Sequence, residues 1–185
     1  EPLKVDDIPV SGKNAKVDAA QHIFEAFDRM VQLARAQQFC ADYANSQQWD
    51  NAMRNCDQAL ALNPNATGTR MRKARILYEL AQAETAEAQK QQHLQAGLAE
   101  LKTVLQQNEF HEEALQLAGV VAIAVGDPVA GRDYFKKYLE VNPNADQIRL
   151  KIAYDIAQAG DPEGAMQFVK VGLDANPNNA DLLTY

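Results

Sequence analysis

A period of 34 residues constrains the fold of this chain more than any other feature. The tripeptide Asn-Pro-Asn occurs three times, and the prolines of its last two copies, Pro143 and Pro177, are 34 residues apart. Because proline cannot continue a helix and drives the preceding residue out of the helical region, each copy predicts a helix end. A fixed period of this length is typical of stacked helical repeats.

The period divides most of the chain into four repeats, of which the second is longer than the others. Their predicted bounds are residues 33–66, 67–111, 112–145 and 146–179. The second repeat carries 11 extra residues, and the stretch 81–93 contains no glycine, proline, serine or asparagine. Since such a composition favours helix, we expect the extra residues to lengthen the two helices of this repeat rather than its loop.

Small residues recur where the two helices of a repeat would approach each other and where a large side chain would hold them apart. They are Cys40, Ala74, Gly119 and Ala153 in the first helices, and Ala52, Gly97, Gly131 and Ala165 in the second helices. The last two repeats also share the turn Gly-Asp-Pro, at 126–128 and 160–162. In this turn, glycine suits a helix end and proline a helix start.

These features, together with the closing proline, resemble those of the tetratricopeptide repeat (TPR) family over residues 33–179. The resemblance implies an all-α fold, a right-handed α-solenoid of four helix-turn-helix repeats, to which the sequence before them adds a long N-terminal helix. It also implies a non-catalytic scaffold or adaptor whose first helices line a groove for an extended peptide or a partner helix. At the aromatic position of each first helix the chain departs from the family, and we expect these departures to influence binding. The residues there are Ala36, Arg70, Leu115 and Arg149.

The groove implied by the resemblance would combine apolar anchors with amide and positively charged groups. Arginine can bind a carboxylate through two hydrogen bonds, so we expect Arg72 and Arg75 to orient an acidic peptide. Tyrosine offers rigid contact area, as expected of Tyr78 and Tyr154, with Met71 as a further anchor. An ordinary solvated face is the alternative. The predicted set is Gln37, Asn45, Met71, Arg72, Arg75, Tyr78, Gln116, Val120, Leu150, Lys151, Tyr154 and Gln158.

The sequence before the first repeat predicts a helix with an apolar face. Residues 1–16 mix charges with proline and glycine and are expected to be an extended or disordered tail. Residues 17–32 should extend the first helix of the first repeat, because neither glycine nor proline interrupts the stretch. Its apolar stripe permits two interpretations, a cap on the end of the repeats or self-association into a homodimer. Self-association would use Ile23, Phe24, Phe27 and Met30.

The end of the chain, residues 180–185, predicts the start of a further helix that is cut short. Together with the absence of an initial methionine, this indicates a segment of a longer protein. A third functional interpretation is therefore a regulatory module that was part of a larger protein.

The two cysteines, Cys40 and Cys56, occupy interior helix positions of the first repeat. We expect two buried free thiols, since cysteine behaves as a small hydrophobic residue, and a disulfide across the helix pair is the alternative. Two cysteines alone provide too few ligands for a metal site. They leave the compartment open between cytoplasm and periplasm.

Composition and motifs argue against several classes of function. The net charge of −7 and the pI of about 4.9 argue against a nucleic-acid-binding protein. No apolar run approaches the roughly 18 residues that would span a bilayer. The three histidines are scattered, and the sequence has neither a phosphate-binding glycine loop nor a nucleophile elbow. We therefore predict no catalytic residues, no metal and no cofactor.

Overall fold

The computed structural model describes residues 15–158 and 160–184, which form α-helices joined by short turns. No β-strand occurs in this part of the chain, and the predicted all-α fold class is confirmed. The helices are α1 (Ala15–Asn45), α2 (Trp49–Leu62), α3 (Thr67–Ala83), α4 (Glu87–Gln107), α5 (Glu112–Val125), α6 (Pro128–Val141), α7 (Asp146–Gln158), α8 (Pro162–Ala175) and α9 (Ala180–Leu183).

The chain divides into two compact parts. The N-terminal part extends to Ile76 and the C-terminal part begins at Leu77, so that the boundary falls inside α3. In the N-terminal part α1 packs against α2. In the C-terminal part α5 packs against α6 and α7 against α8, and further contacts join α4 to α5 and α6 to α7.

A disulfide joins Cys40 of α1 to Cys56 of α2. The Cα atoms of the two cysteines are 5.0 Å apart, which is within the range that a disulfide spans, and both side chains are fully buried. The prediction of two free thiols is therefore wrong. The two sulfur atoms meet because Ala52 and Ala59, which are also fully buried, leave room for α1 to approach α2.

The leading part of α1 exposes its apolar face. From residue 19 to residue 32 every side chain is exposed except two half-buried alanines. A cap would bury its apolar face against the repeat that it covers, so the interpretation of this stretch as a cap is wrong. Of the predicted tail, residues 1–14 lie outside the described part of the chain, and residues 15–16 belong to α1.

The extra residues of the second repeat lengthen its helices. Helix α3 has 17 residues and α4 has 21, compared with 14 in each of α5 and α6. Only residues 84–86 separate α3 from α4. Helix α4 takes up most of the extra length and is about two turns longer than α6.

The Gly-Asp-Pro turns of the last two repeats end one helix and begin the next. Gly126 and Gly160 have φ angles of 98° and 89°, in the left-handed region that glycine adopts without strain. The carboxylate of Asp127 accepts a hydrogen bond from Ala130 N, and that of Asp161 accepts one from Gly164 N. Each aspartate thereby caps the N-terminus of the helix that follows it.

Glycine lets α5 and α6 come into close contact. A Cβ atom on Gly119 would lie 2.6 Å from Cε1 of Phe135, a fully buried ring. A Cβ atom on Gly131 would lie 2.5 Å from Cγ1 of Ile123. At this helix crossing the small residues are required by their neighbours.

Two of the departures from the family's aromatic position, Arg70 and Arg149, bind the turn that precedes their own helix. Nη2 of Arg149 donates to the carbonyl oxygen of Pro143 at 3.0 Å, and the guanidinium carbon lies 5.5 Å from the centroid of the Phe168 ring. In the N-terminal part, Nε and Nη2 of Arg70 donate to the carbonyl oxygen of Pro64 at 3.0 and 2.7 Å. Only 5% of the surface of Arg149 is exposed, so its side chain stabilises the fold and does not contact a partner. This differs from the expectation that the residue at this position influences binding.

Candidate protein-binding surfaces

In the N-terminal part, the predicted binding residues are mostly polar and exposed. Arg72 and Arg75 of α3 are both exposed and three residues apart, so they lie on the same face of the helix. Asn45 is exposed at the end of α1. Gln37 is half-buried, and its amide nitrogen donates to the hydroxyl of Thr69 at 3.4 Å. This surface offers two guanidinium groups in a chain whose net charge is −7.

Met71, which was predicted to be an exposed anchor of the groove, is buried. Only 6% of its surface is exposed, and it lies one turn from Ala74, which is fully buried. Both side chains therefore belong to the core-facing side of α3. We accordingly exclude Met71 from the residues that offer an anchor to a partner.

In the C-terminal part, one face of α7 carries three exposed side chains that the sequence analysis singled out. Lys151, Tyr154 and Gln158 follow at intervals of three and four residues, so they share a face. Tyr154 is 58% exposed. The ammonium nitrogen of Lys151 lies 5.7 Å from the centroid of the Phe135 ring. This cation–π contact joins the lysine side chain to a ring of the core.

The remaining predicted residues of the C-terminal part are divided between surface and core. Gln116 of α5 is exposed and Tyr78 of α3 is half-buried. Val120 is half-buried and packs on the cluster formed by Phe135, Leu139 and Ile152. Leu150 packs in the same way on the next cluster, which contains Ala153, Val169 and Leu182.

A second exposed surface lies on α1 and is apolar. Ile23, Phe24, Phe27 and Met30 are 59%, 73%, 64% and 68% exposed. Phe39, which is outside the predicted set, is 43% exposed, and its ring centroid lies 6.0 Å from that of Tyr43. Their spacing of four residues, which places both rings on one helix face, was the available signal.

The last helices of the C-terminal part leave an open apolar groove with a volume of about 900 Å³. Val169, Leu173 and Leu182 line it together with Met166 and Leu183, which are each 62% exposed. None of the predicted site residues lines this groove. The spacing of Met166, Val169 and Leu173 by three and four residues, which places them on one face of α8, was the available signal.

Within residues 15–158 and 160–184, no three histidine, cysteine or acidic side chains are close enough to hold a metal ion. His111 caps α5, since its Nδ1 accepts a hydrogen bond from Ala114 N at 3.3 Å. Burial raises the pKa of Tyr134, and the nearby charge of Asp127 acts in the same direction while Lys137 opposes it.

None of the described helices combines the length and apolar character required to cross a membrane.

Comparison with known proteins identifies the fold. No protein-family model matches the sequence, and no curated protein matches it significantly. Among solved structures, a crystal structure of MamA superposes with a TM-score of 0.67 at 12% identity, covering 91% of this chain and 91% of MamA. The TPR protein TTC0263 of Thermus thermophilus superposes with a TM-score of 0.59 at 18% identity, covering 90% of this chain and 87% of TTC0263.

The chain has the TPR fold. A further similar structure is that of YrrB, described as a TPR protein with an unusual peptide-binding site. It superposes with a TM-score of 0.61 at 16% identity, covering 80% of this chain and 70% of YrrB. At these identities the likeness concerns the fold alone.

Proposed function

We propose that this TPR chain is a non-catalytic interaction module that binds a peptide segment or a helix of another protein. The contacts are made by exposed faces of its first helices, in particular the face of α7 that carries Lys151, Tyr154 and Gln158. The general role is supported by the TPR fold, and the peptide-binding site named for YrrB shows that a protein of this fold can bind a peptide.

The observation that carries the proposal is the exposure of Tyr154 on a helix whose opposite face is held in the core. Ile152 and Ala153 of the same helix are fully buried, and Arg149 is 5% exposed. The backbone of α7 is therefore fixed, and the tyrosine ring, 58% exposed, projects from a rigid support. Rigid tyrosine side chains are common hot spots, because they give contact area while few rotatable bonds lose freedom.

The charge of the surface indicates the kind of partner. Lys151 supplies a positive charge one turn before Tyr154, and Gln158 supplies an amide that can pair with the backbone of a bound peptide. In the N-terminal part, Arg72 and Arg75 form a separate exposed pair of positive charges. An acidic peptide fits either surface better than a basic peptide, and on α7 an apolar residue of the peptide would contact the tyrosine ring.

The test uses an acidic peptide selected from a display library on the wild-type chain. We expect Tyr154→Ala to weaken its binding by about 30-fold, the effect of a hot spot worth roughly 2 kcal/mol. Lys151→Ala should weaken binding less, and the difference from wild type should shrink as salt is added. Calorimetric titration measures both effects.

The matched control is Val129→Ala, because Val129 is equally exposed, at 58%, but lies on the second helix of its repeat. It should leave the affinity unchanged, and none of the variants should lower the melting temperature by more than a degree or two, since each side chain is on the surface. Wild-type affinity in Tyr154→Ala would refute the assignment of this face.

A further inference from the structure

We infer that the leading part of α1 is a homodimerisation surface, which pairs with the same surface of a second copy of this chain. The surface consists of Ile23, Phe24, Phe27, Met30 and Val31, which we call the α1 patch. The inference is independent of the proposed peptide-binding role, because it concerns another face and another partner.

The first support is the exposure of the α1 patch. Its five side chains are between 39% and 73% exposed, and all fall within nine consecutive residues of one helix. A buried phenylalanine covers roughly 150–250 Å², so the five side chains together leave on the order of 500 Å² of apolar surface uncovered. A contiguous apolar patch of more than a few hundred Å² on a soluble protein marks an interaction site.

The uncovered area is what a weak but specific dimer requires. Two copies of the α1 patch would together bury on the order of 1,000 Å², which is the lower limit for a specific interface. A pair of helices that uses the stripe of residues 23, 27 and 30 would have the spacing of three and four residues found in paired helices. Interfaces near this lower limit are typical of weak and transient complexes, so the test covers micromolar concentrations.

The second support is the symmetry of the α1 patch about Phe27. Phe24 and Met30 lie three residues before and after it, and Ile23 and Val31 lie four residues before and after it. In a two-fold antiparallel pair with Phe27 at the axis, Phe24 of one copy would face Met30 of the other, and Ile23 would face Val31. A two-fold interface must be complementary to itself, and this arrangement pairs each large apolar side chain with another.

The charge of the same stretch favours a protein partner over a lipid surface. Helices that bind anionic membranes carry lysine and arginine along their polar face. Residues 19–32 contain Arg29 as their only lysine or arginine, together with the acidic Glu25 and Asp28. The carboxylate of Asp28 accepts a hydrogen bond from Gln32 at 2.7 Å, and Glu25 accepts one from Gln21 at 3.0 Å. With one positive and two negative side chains, this stretch has no net positive charge to attract anionic headgroups.

The test is sedimentation equilibrium on the full chain from about 1 to 200 μM, a range that brackets a micromolar constant. The wild type should dimerise, and Phe27→Asp should raise the dissociation constant by about 30-fold or more. Phe27→Asp should keep its helical circular dichroism, because Phe27 is 64% exposed in the monomer. The matched control is Met166→Asp, which alters a side chain of similar exposure, 62%, on α8 and should dimerise as the wild type does.

Three results would overturn the inference. They are a wild type that remains monomeric at 200 μM, a Phe27→Asp variant that dimerises normally, and a loss of the dimer in Met166→Asp instead. If the wild type is monomeric and sediments with phosphatidylcholine–phosphatidylserine vesicles while Phe27→Asp does not, the α1 patch is assigned to membranes.

Oxidative cross-linking then tests the position of the two-fold axis. Phe27→Cys should form a covalent dimer, since the two introduced sulfur atoms would meet at the axis. Glu25→Cys, at an exposed position on the opposite side of α1, should not. Equal cross-linking of both variants would contradict a specific pairing through the α1 patch.

Discussion

Reduction of the disulfide between Cys40 and Cys56 should destabilise the N-terminal helix pair by about 3 kcal/mol. The two cysteines are separated by 16 positions, and a cross-link that closes a loop of about this length removes roughly 3 kcal/mol of conformational freedom from the unfolded chain. Both cysteine side chains are fully buried, and reduction breaks the covalent link without removing any side-chain heavy atom, so the comparison concerns mainly the cross-link.

Trp49 makes this prediction measurable. It is the only tryptophan of the chain and the first residue of α2, where it is half-buried, so its fluorescence reports on the N-terminal part. With a urea dependence of about 2 kcal/mol per molar, the loss should lower the unfolding midpoint by roughly 1.5 M in the presence of a reductant. Circular dichroism, which follows all helices, should show a smaller change, because only one helix pair is affected.

The double variant Cys40→Ala/Cys56→Ala provides the control, and its unfolding should not respond to reductant. A thiol titration of the native protein should find no free thiol before reduction. Equal midpoints for oxidised and reduced wild type, or two thiols that react after denaturation without reductant, would refute the reasoning.

Three further predictions concern packing in the C-terminal part and in α3. Arg149→Met should lower the free energy of unfolding by about 2 kcal/mol, because it removes a charge-assisted hydrogen bond to Pro143, and thermal unfolding measures the loss. Gly119→Ala should destabilise by about 1 kcal/mol in urea unfolding, because the clash with Phe135 outweighs the better helix propensity of alanine. Gly68→Ala should instead stabilise by up to about 1 kcal/mol, since an added Cβ at this helical position meets no atom within 4 Å.

The controls for these variants use positions where the structure shows no such constraint. Lys170→Met changes an exposed side chain of α8 and should leave the melting temperature within a degree or two of the wild type. If Arg149→Met melted like Lys170→Met, the hydrogen bond to the turn would contribute nothing. If Gly119→Ala were as stable as Gly68→Ala, the ring of Phe135 would be free to move aside.

The sequence determines the helices of this chain because their signals are local. The Gly-Asp-Pro turns carry the left-handed glycine, the capping aspartate and the first helical proline within three residues, and each acts on its immediate neighbours. The small residues at the helix crossings are likewise predictable from the period. Their partners, such as Phe135 opposite Gly119, emerge only once the helices are packed.

The candidate surfaces were less predictable, because exposure depends on how a helix is rotated against its neighbours. Met71 and Arg72 are adjacent in sequence, yet Arg72 is exposed and Met71 is buried, with only 6% of its surface accessible. The apolar stripe around Phe27 has the pattern of a buried face, and only the packed structure shows that nothing in the described chain covers it. The state of Cys40 and Cys56 depended in the same way on the distance between two helices, which no local pattern contains.

The guanidinium groups of Arg70 and Arg149 affect how far the amino-acid sequence of such a repeat can change while its fold is kept. Each binds the carbonyl oxygen of a proline six positions earlier, and a backbone carbonyl is present whatever residue occupies that place. The loop can therefore change its side chains over evolutionary time while the tether to the next helix persists. An array built in this way can retain its architecture after the aromatic signature by which its relatives are detected has been lost.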